Sequence, residues 1–342
     1  MENTLKISKP AILDIETCSK NSFNDQHGRT FTYLRIAINN QCNLRCLYCM
    51  PHGIKHSDLR QLSKDEIQKI VRSVSDFGVT KIRFTGGEPL LHDQIIPLVS
   101  YTSQIDNITS VNITTNGILL NELAFPLKDA GITGINISLD SLNQTKYHHI
   151  TQRNKLPLVL KGIESAIKSE IENVKINVVM IDNFNTDEIQ HMTSFFKNHP
   201  ITLRFIELMP FDGLNNRSSN NYLPAEKIIN ILHARIPGLV STKGSSTEHF
   251  SFQYPNHPLK ISVIPAFSRS LCHNCNRIRI TADGKIMNCL YSRKKYELLK
   301  NMKEGKNIND LIHDAMWEKS MDGWSARCNE DNNHDCMSWI GG

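Results

Sequence analysis

At 342 residues, 39% of them hydrophobic and 21% charged, the chain has the length of about two domains and the composition of an ordinary globular protein. No run approaches the ~18 consecutive apolar residues of a membrane span, and the polar first thirty residues, Asp14 and Glu16 among them, argue against a secretory signal or transit peptide. A net charge of +5, from 39 Lys and Arg against 34 Asp and Glu, is too small to name a nucleic-acid binder. Membrane, collagen-like and disordered classes are excluded with it.

Residues 1–30 read as an N-terminal extension, a surface arm. Residues 32–38 (TYLRIAI) predict the first strand, and the loop after it carries Cys42, Cys46 and Cys49. Ser63 and Glu66 form a capping box that starts a helix running to about Phe77. A short strand, Lys81 to Phe84, ends at Gly86-Gly87. The pattern of strand, polar turn and amphipathic helix then recurs, with strands near 109–114, 134–138, 174–180 and 202–206 and helices near 92–104, 121–130, 157–169 and 186–197. Six β/α units in succession predict a parallel sheet, because parallel strands need helical crossovers. The fold class is therefore α/β, and the number of units suits an incomplete (βα)6 barrel of the TIM type better than a doubly wound sheet.

Distinctive polar residues follow the strands in turn: CNLRCLYC after the first, GGEP after the second, TTNG, SLDS, and Glu207 with Met209 after the sixth. Barrel enzymes build their sites from the loops at this edge. The alternation breaks after about Phe211. A polar loop and a short helix near 224–235 lead into strands and turns over 238–292, then a polar helical tail that ends in Gly341-Gly342. The division expected is a partial barrel over 31–240 and a smaller region over 241–342. Between Lys260 and Lys306, eleven Lys or Arg face three acids. A field of that kind suits a polyphosphate as well as a nucleic acid, and a solvated basic face is the plain alternative.

Nine cysteines, an odd number, are too unevenly spaced for a disulfide framework. Six fall into two groups, with Cys18, Cys328 and Cys336 left over. Such clusters in a reducing, cytoplasmic compartment read as metal or redox sites. Cys42, Cys46 and Cys49 suit a cubane iron–sulfur cluster with one iron left open to a small molecule. A zinc site, with His52 or His56 as fourth ligand, is the alternative. Tyr48 inside this group could pack on a flat adenine, and the glycines of GGEP permit close backbone approach. Cys272, Cys275 and Cys289 again offer three thiolates. Zinc, completed by His273, Cys328 or Cys336, and a second cluster are equally open here. Arg277 and Arg279, two apart on a strand, point to one face and suit a triphosphate, or are simply exposed.

CNLRCLYC followed by TGGEPLL resembles the radical S-adenosylmethionine superfamily. LRIAINNQCNLRCLYCMP at 34–51, NISLDS at 136–141, LRFIELMP at 203–210 and CHNCNRIRITADGKIMNCL at 272–290 are similar to its branch that acts on GTP at the first step of molybdenum cofactor biosynthesis. That resemblance implies two 4Fe-4S clusters, one on Cys42, Cys46 and Cys49 and a second, anchoring guanine, on Cys272, Cys275 and Cys289. It implies S-adenosylmethionine contacts at Tyr48, Gly87, Ser138 and Met209, and GTP contacts at Arg35, Arg83, Thr114, Lys175, Arg277 and Arg279. Arg277 and Arg279 are also candidate catalytic donors in a closing reduction. The chemistry implied is removal of the C3′ hydrogen of GTP by a 5′-deoxyadenosyl radical and attack of C3′ on C8 of guanine. The partners implied are an electron donor, a cyclic pyranopterin monophosphate synthase that takes the product, and a second copy in a homodimer, with no nucleic acid and no membrane. The terminal glycines would reach into the site. A radical peptide-modifying enzyme and a zinc-stabilised scaffold are the alternative classes.

Overall fold

A computed structural model describes residues 22–50, 61–209, 221–242, 250–267 and 272–328. Six strands lie side by side in chain order and pair in parallel: β1 (Tyr33–Ala37), β2 (Lys81–Thr85), β3 (Ser110–Thr115), β4 (Gly134–Ser138), β5 (Asn173–Met180) and β6 (Thr202–Glu207). The crossovers are helical: α1 (Lys64–Ser75), α2 (Ile95–Ser103), α3 (Leu120–Asp129), α4 (Gln144–Thr151) with α5 (Leu156–Lys168), and α6 (Ile189–Phe196). The capping box of α1 is formed. Ser63 Oγ accepts from the Glu66 amide at 3.3 Å, and Glu66 Oε2 accepts from the Ser63 amide at 2.9 Å.

Helix α4 breaks the expected rhythm. Its eight residues are too polar to show an apolar stripe, and His148 and His149 are indeed exposed. What starts it is Asn143, whose side chain accepts from the amides of Thr145 and Lys146.

After α7 (Ala225–Arg235), the remaining strands do not build a sheet of their own. β7 (Val240–Thr242), β8 (Phe250–Gln253) and β9 (Lys260–Ile264) extend one end, with β9 parallel to β6. β10 (Arg277–Ile280), β11 (Lys285–Met287) and β12 (Tyr296–Glu297) extend the other, with β10 parallel to β1. Among the described residues one sheet of twelve strands results, and the second cysteine group is carried beside the first strand. Helices α8 (Leu298–Lys303), α9 (Ile308–Trp317) and α10 (Gly323–Cys328) follow.

Alternation along the strands divides the sheet into two faces. Leu34, Ile36, Ile82, Phe84, Ile113, Ile135, Ile176 and Phe205 are fully buried in the hydrophobic core. Each such side chain contributes roughly 1.5–3 kcal/mol. Most of the intervening residues, Arg35, Arg83, Thr114, Asn136, Lys175 and Arg204 among them, are polar and line a cavity. Residues 22–30 are not a surface arm. Phe23 is buried and stacks on Phe77 at 5.4 Å between ring centres. Arg29, paired with Asp25, donates to the carbonyls of Cys272, Lys319, Ser320 and Met321. No described helix is long and apolar enough to cross a membrane.

Candidate active site

The polar face of the sheet and the loops at its carboxyl edge enclose a cavity of about 800 Å³, within the roughly 300–1,000 Å³ of small-molecule sites. The two cysteine groups and the ten other contact residues that the resemblance implies line it, whereas His273 does not. Gly341, Gly342, His52, His56, Cys18 and Cys336 lie outside the described residues, as does the side chain of Cys328.

The first cysteine loop is held by the turn after β2. A Cβ on Gly87 would stand 2.1 Å from the Gln41 carbonyl oxygen, and one on Gly86 2.4 Å from that of Asn39. Only glycines allow this approach. It lets the Gly87 amide donate to Asn39 O at 3.0 Å and the Glu88 amide to Gln41 O at 2.6 Å, just ahead of Cys42. The Glu88 carboxyl is turned inward, where burial pushes its pKa up to about 7. It accepts from the Asn116 amide and Thr115 hydroxyl, each at 2.7 Å. Asn116 in turn donates to Asn43 Oδ1 at 2.6 Å and lies 3.8 Å from Cys42 Sγ. GGEP and TTNG therefore act as one clamp on the cysteine loop. The far side of the loop is fixed by α4, where Thr151 O and Ile150 O accept from the amides of Arg45 and Leu47, each at 3.0 Å.

Tyr48 donates its hydroxyl to Asp140 Oδ2 at 2.7 Å, while Asp140 Oδ1 accepts from the Val179 amide at 2.8 Å. Burial nevertheless raises Asp140 to about 6. Burial, then the Asp140 charge, pushes the Cys46 thiol well up. Cys42 is also raised by burial, although the Leu44 amide points at its sulfur from 3.4 Å.

The second group sits in a different field. The Gly323 amide donates to Cys272 Sγ at 3.2 Å and the Tyr291 amide to Cys289 Sγ at 3.5 Å. Burial tends to raise Cys275, but Lys319 and Arg277 reverse this and leave the thiol below its ordinary range. Buried Lys319 also donates to Asn288 O. Among the described residues no three His, Cys, Asp or Glu side chains converge tightly enough to hold a single metal ion. Each group presents three thiols outside any disulfide, with backbone N–H groups directed at sulfur. That donor set fits an iron–sulfur cluster, whose potential such hydrogen bonds adjust.

The rest of the wall is cationic. Register places Arg279, Arg35 and Arg83 in one row across β10, β1 and β2. Burial pushes Arg35 well below the ordinary guanidinium range and Arg279 below it, a cost that a bound anion would relieve. Arg83 Nη1 reaches Thr114 Oγ1 at 3.2 Å and Nη2 reaches Asn112 Oδ1 at 3.4 Å. Lys175 lies near the start of β5, away from the loop edge. The stagger of the strands nevertheless puts it in one row with Thr114, Asn136, Thr202 and Lys260. Tyr33, Lys81, Arg204, Lys260, Lys319 and Asp140 also line the cavity, beyond the residues that the motifs announce. For the four strand residues the available signal is the alternation itself, as in YLRIA, KIRFT, TLRFIE and KISVI, whereas Asp140 and Lys319 lie outside the strands. Glu207, at the end of β6, is a structural tie: buried, it accepts from the amides of Ala225 and Phe267.

Comparison with known proteins agrees with this geometry. Residues 36–196 match the Radical SAM superfamily and residues 201–323 match Molybdenum Cofactor Synthesis C. A protein of Chlorobaculum tepidum named GTP 3′,8-cyclase is 38% identical over 330 residues, covering 96% of this chain and 99% of its own. One of Desulforamulus reducens with the same name is 37% identical, covering 93% and 99%. The crystal structure of Streptococcus suis SuiB bound to S-adenosylmethionine superposes with a TM-score of 0.64 over 85% of this chain and 68% of that one, at 15% identity.

Proposed function

The chain belongs to the GTP 3′,8-cyclase family of the radical S-adenosylmethionine superfamily, and from that premise we propose how its cavity divides the work. It is an enzyme of the first step of molybdenum cofactor biosynthesis, and its superfamily uses S-adenosylmethionine and an iron–sulfur cluster. In our reading, residues 31–240 form an incomplete (βα)6 barrel, residues 241–342 add the second half of the site, and 1–30 precede the barrel.

Cys42, Cys46 and Cys49 would hold the cluster that, with S-adenosylmethionine bound, supplies the radical that takes the C3′ hydrogen of GTP. Tyr48, held by Asp140, would flank the adenine, and Gly87, Ser138 and Met209 would complete that subsite. Cys272, Cys275 and Cys289 would hold a second cluster beside the guanine base. Arg35, Arg83, Thr114, Lys175, Arg277 and Arg279 would bind the triphosphate and ribose. Fixing base and phosphates at opposite ends keeps C3′ and C8 in attack geometry, which is where an intramolecular step gains most. Arg277 and Arg279 would also donate when the product is reduced. An external electron donor, transfer of the product to a cyclic pyranopterin monophosphate synthase, a homodimer and a cytoplasmic location complete the proposal.

The observation that carries this reading is that both cysteine groups and the arginine rows line one cavity. It is tested anaerobically with reconstituted protein, S-adenosylmethionine, dithionite and GTP, and products are followed by mass spectrometry. The expected result is 5′-deoxyadenosine together with a cyclised GTP derivative. Deoxyadenosine alone would move the substrate elsewhere. Neither product, from protein shown to carry two clusters, would overturn the assignment.

A further inference from the structure

One member of the cationic wall is not a cation. On β10, β1 and β2 the register sets Arg277, Tyr33 and Lys81 side by side, directly below the row Arg279, Arg35, Arg83. With residues two apart on the same face, this is a grid of six positions, five of them positive. Tyr33 is its buried sixth member. Its oxygen accepts from Arg83 Nε at 2.5 Å, Lys81 Nζ lies 5.1 Å from its ring centre, and the Arg83 guanidinium carbon lies 5.9 Å from it. Five cations on three adjacent strands repel one another strongly in a low-dielectric site, so an acceptor among them holds the wall together before a substrate arrives.

We propose that Tyr33 is a positioning residue that holds Arg83 as a phenolate before substrate binds and hands it over to the substrate. As a polyphosphate enters, the Tyr33 oxygen takes one proton from solvent, and the hydrogen bond donated by Arg83 Nε–H moves from the Tyr33 oxygen to a phosphate oxygen, with Arg83 protonated throughout. No other bond changes. This rests on the GTP assignment above. The electrostatics agree with the geometry: burial alone would raise the phenol, but Arg83, Arg35, Arg277 and Lys81 together bring it down to about 7. Arg279 completes the set of charged groups that face it from these three strands.

The sign follows directly. Above pH ~7 the phenolate must gain a proton for a polyanion to bind, so affinity falls as pH rises, by about tenfold per pH unit for one proton. The terminal phosphate of GTP, with a second pKa of about 6, is fully ionised in that range and adds no slope of its own. A phenol that only filled space would give no such slope.

The test uses reconstituted holoenzyme and its Tyr33→Phe variant under anaerobic conditions. Calorimetric titration with GTP and with GDP, in buffers of different ionisation heat from pH 7.5 to 9, reads affinity and proton uptake together. The native protein is expected to take up about one proton and to lose about tenfold in affinity per pH unit, while Tyr33→Phe binds with neither effect. Carbon-13 NMR of Cζ-labelled tyrosine, native against variant, reads the charge on Tyr33 without substrate. A Tyr33 carbon that remains neutral at pH 8.5 overturns the proposal, as does a slope that survives in Tyr33→Phe. If the carbon is ionised but neither ligand binds to native protein, the GTP assignment fails and the handover fails with it.

Discussion

The two cysteine loops present the same donors in opposite electrical settings. The first is surrounded by carboxyls: Asp140 lies behind Tyr48 and Cys46, and Glu88 lies behind Asn116 and Cys42. The second is surrounded by Lys319, Arg277 and Arg279, which draw Cys275 toward thiolate. Their supports also differ. The first loop is gripped by backbone, through Gly86, Gly87 and the end of α4. The second is braced by side chains, through Arg29 and Lys319. Net charge around a cluster moves its potential. Negative surroundings oppose an added electron and make the reduced cluster the stronger donor, whereas positive surroundings stabilise it. On the proposed assignment, the difference suits a first loop that gives an electron away and a second that binds an anionic substrate.

The largest expected effect comes from removing a thiolate on each side in turn. Cys46→Ala is expected to drop 5′-deoxyadenosine formation to background. Cys275→Ala should still form deoxyadenosine while the GTP-derived product disappears. Product analysis with iron counting on both variants checks this. Loss of both products from Cys275→Ala protein that retains its first cluster would mean that the loops do not divide the work.

The supports predict a smaller effect. Gly87→Ala drives a methyl into the Gln41 backbone, and overpacking against main chain costs about 1–3 kcal/mol. Its melting temperature should fall, and iron at the first site should fall with it. Gly323→Ala meets the Tyr291 ring, at 2.6 Å, rather than main chain, so the ring must shift against its hydroxyl tie to the Ala266 carbonyl. That variant should lose less melting temperature than Gly87→Ala, with altered spectra confined to the proposed second cluster. Calorimetry and Mössbauer spectroscopy distinguish the two. Equal melting losses would show that side chains brace the second loop as rigidly as backbone grips the first.

The same contrast explains what could be read from residue order. The first loop and its neighbours are local: CNLRCLYC, GGEP and TTNG each follow a strand, and period-2 and period-3.6 patterns locate strands and helices directly. Lys175 shows where this stops. Its place in one row with Asn136 and Thr114 depends on strand stagger, which no single segment encodes. Tyr33 and Lys81 are illegible for a related reason, since each looks like an ordinary strand residue until β10 pairs with β1. That pairing joins residues some 240 apart, and the Arg29 contact with Cys272 spans 243. The polar α4 lacked an apolar stripe, so only its Asn143 cap could have announced it.

The smallest effect reads the two fields directly, in metal-free protein kept reduced. Only thiolate is alkylated. Cys275, drawn below its ordinary range, should react with iodoacetamide faster at pH 7.5 than Cys46, which is pushed well above it. Raising the pH ionises the higher thiol while the lower one is already thiolate, so the ratio of rates should narrow toward pH 10. Lys319→Met removes the cation that acts most strongly on Cys275 and should slow that residue alone. Peptide mapping by mass spectrometry reads each site separately. A Cys275 rate that ignored Lys319 would mean that solvent access, rather than charge, sets the difference between the loops.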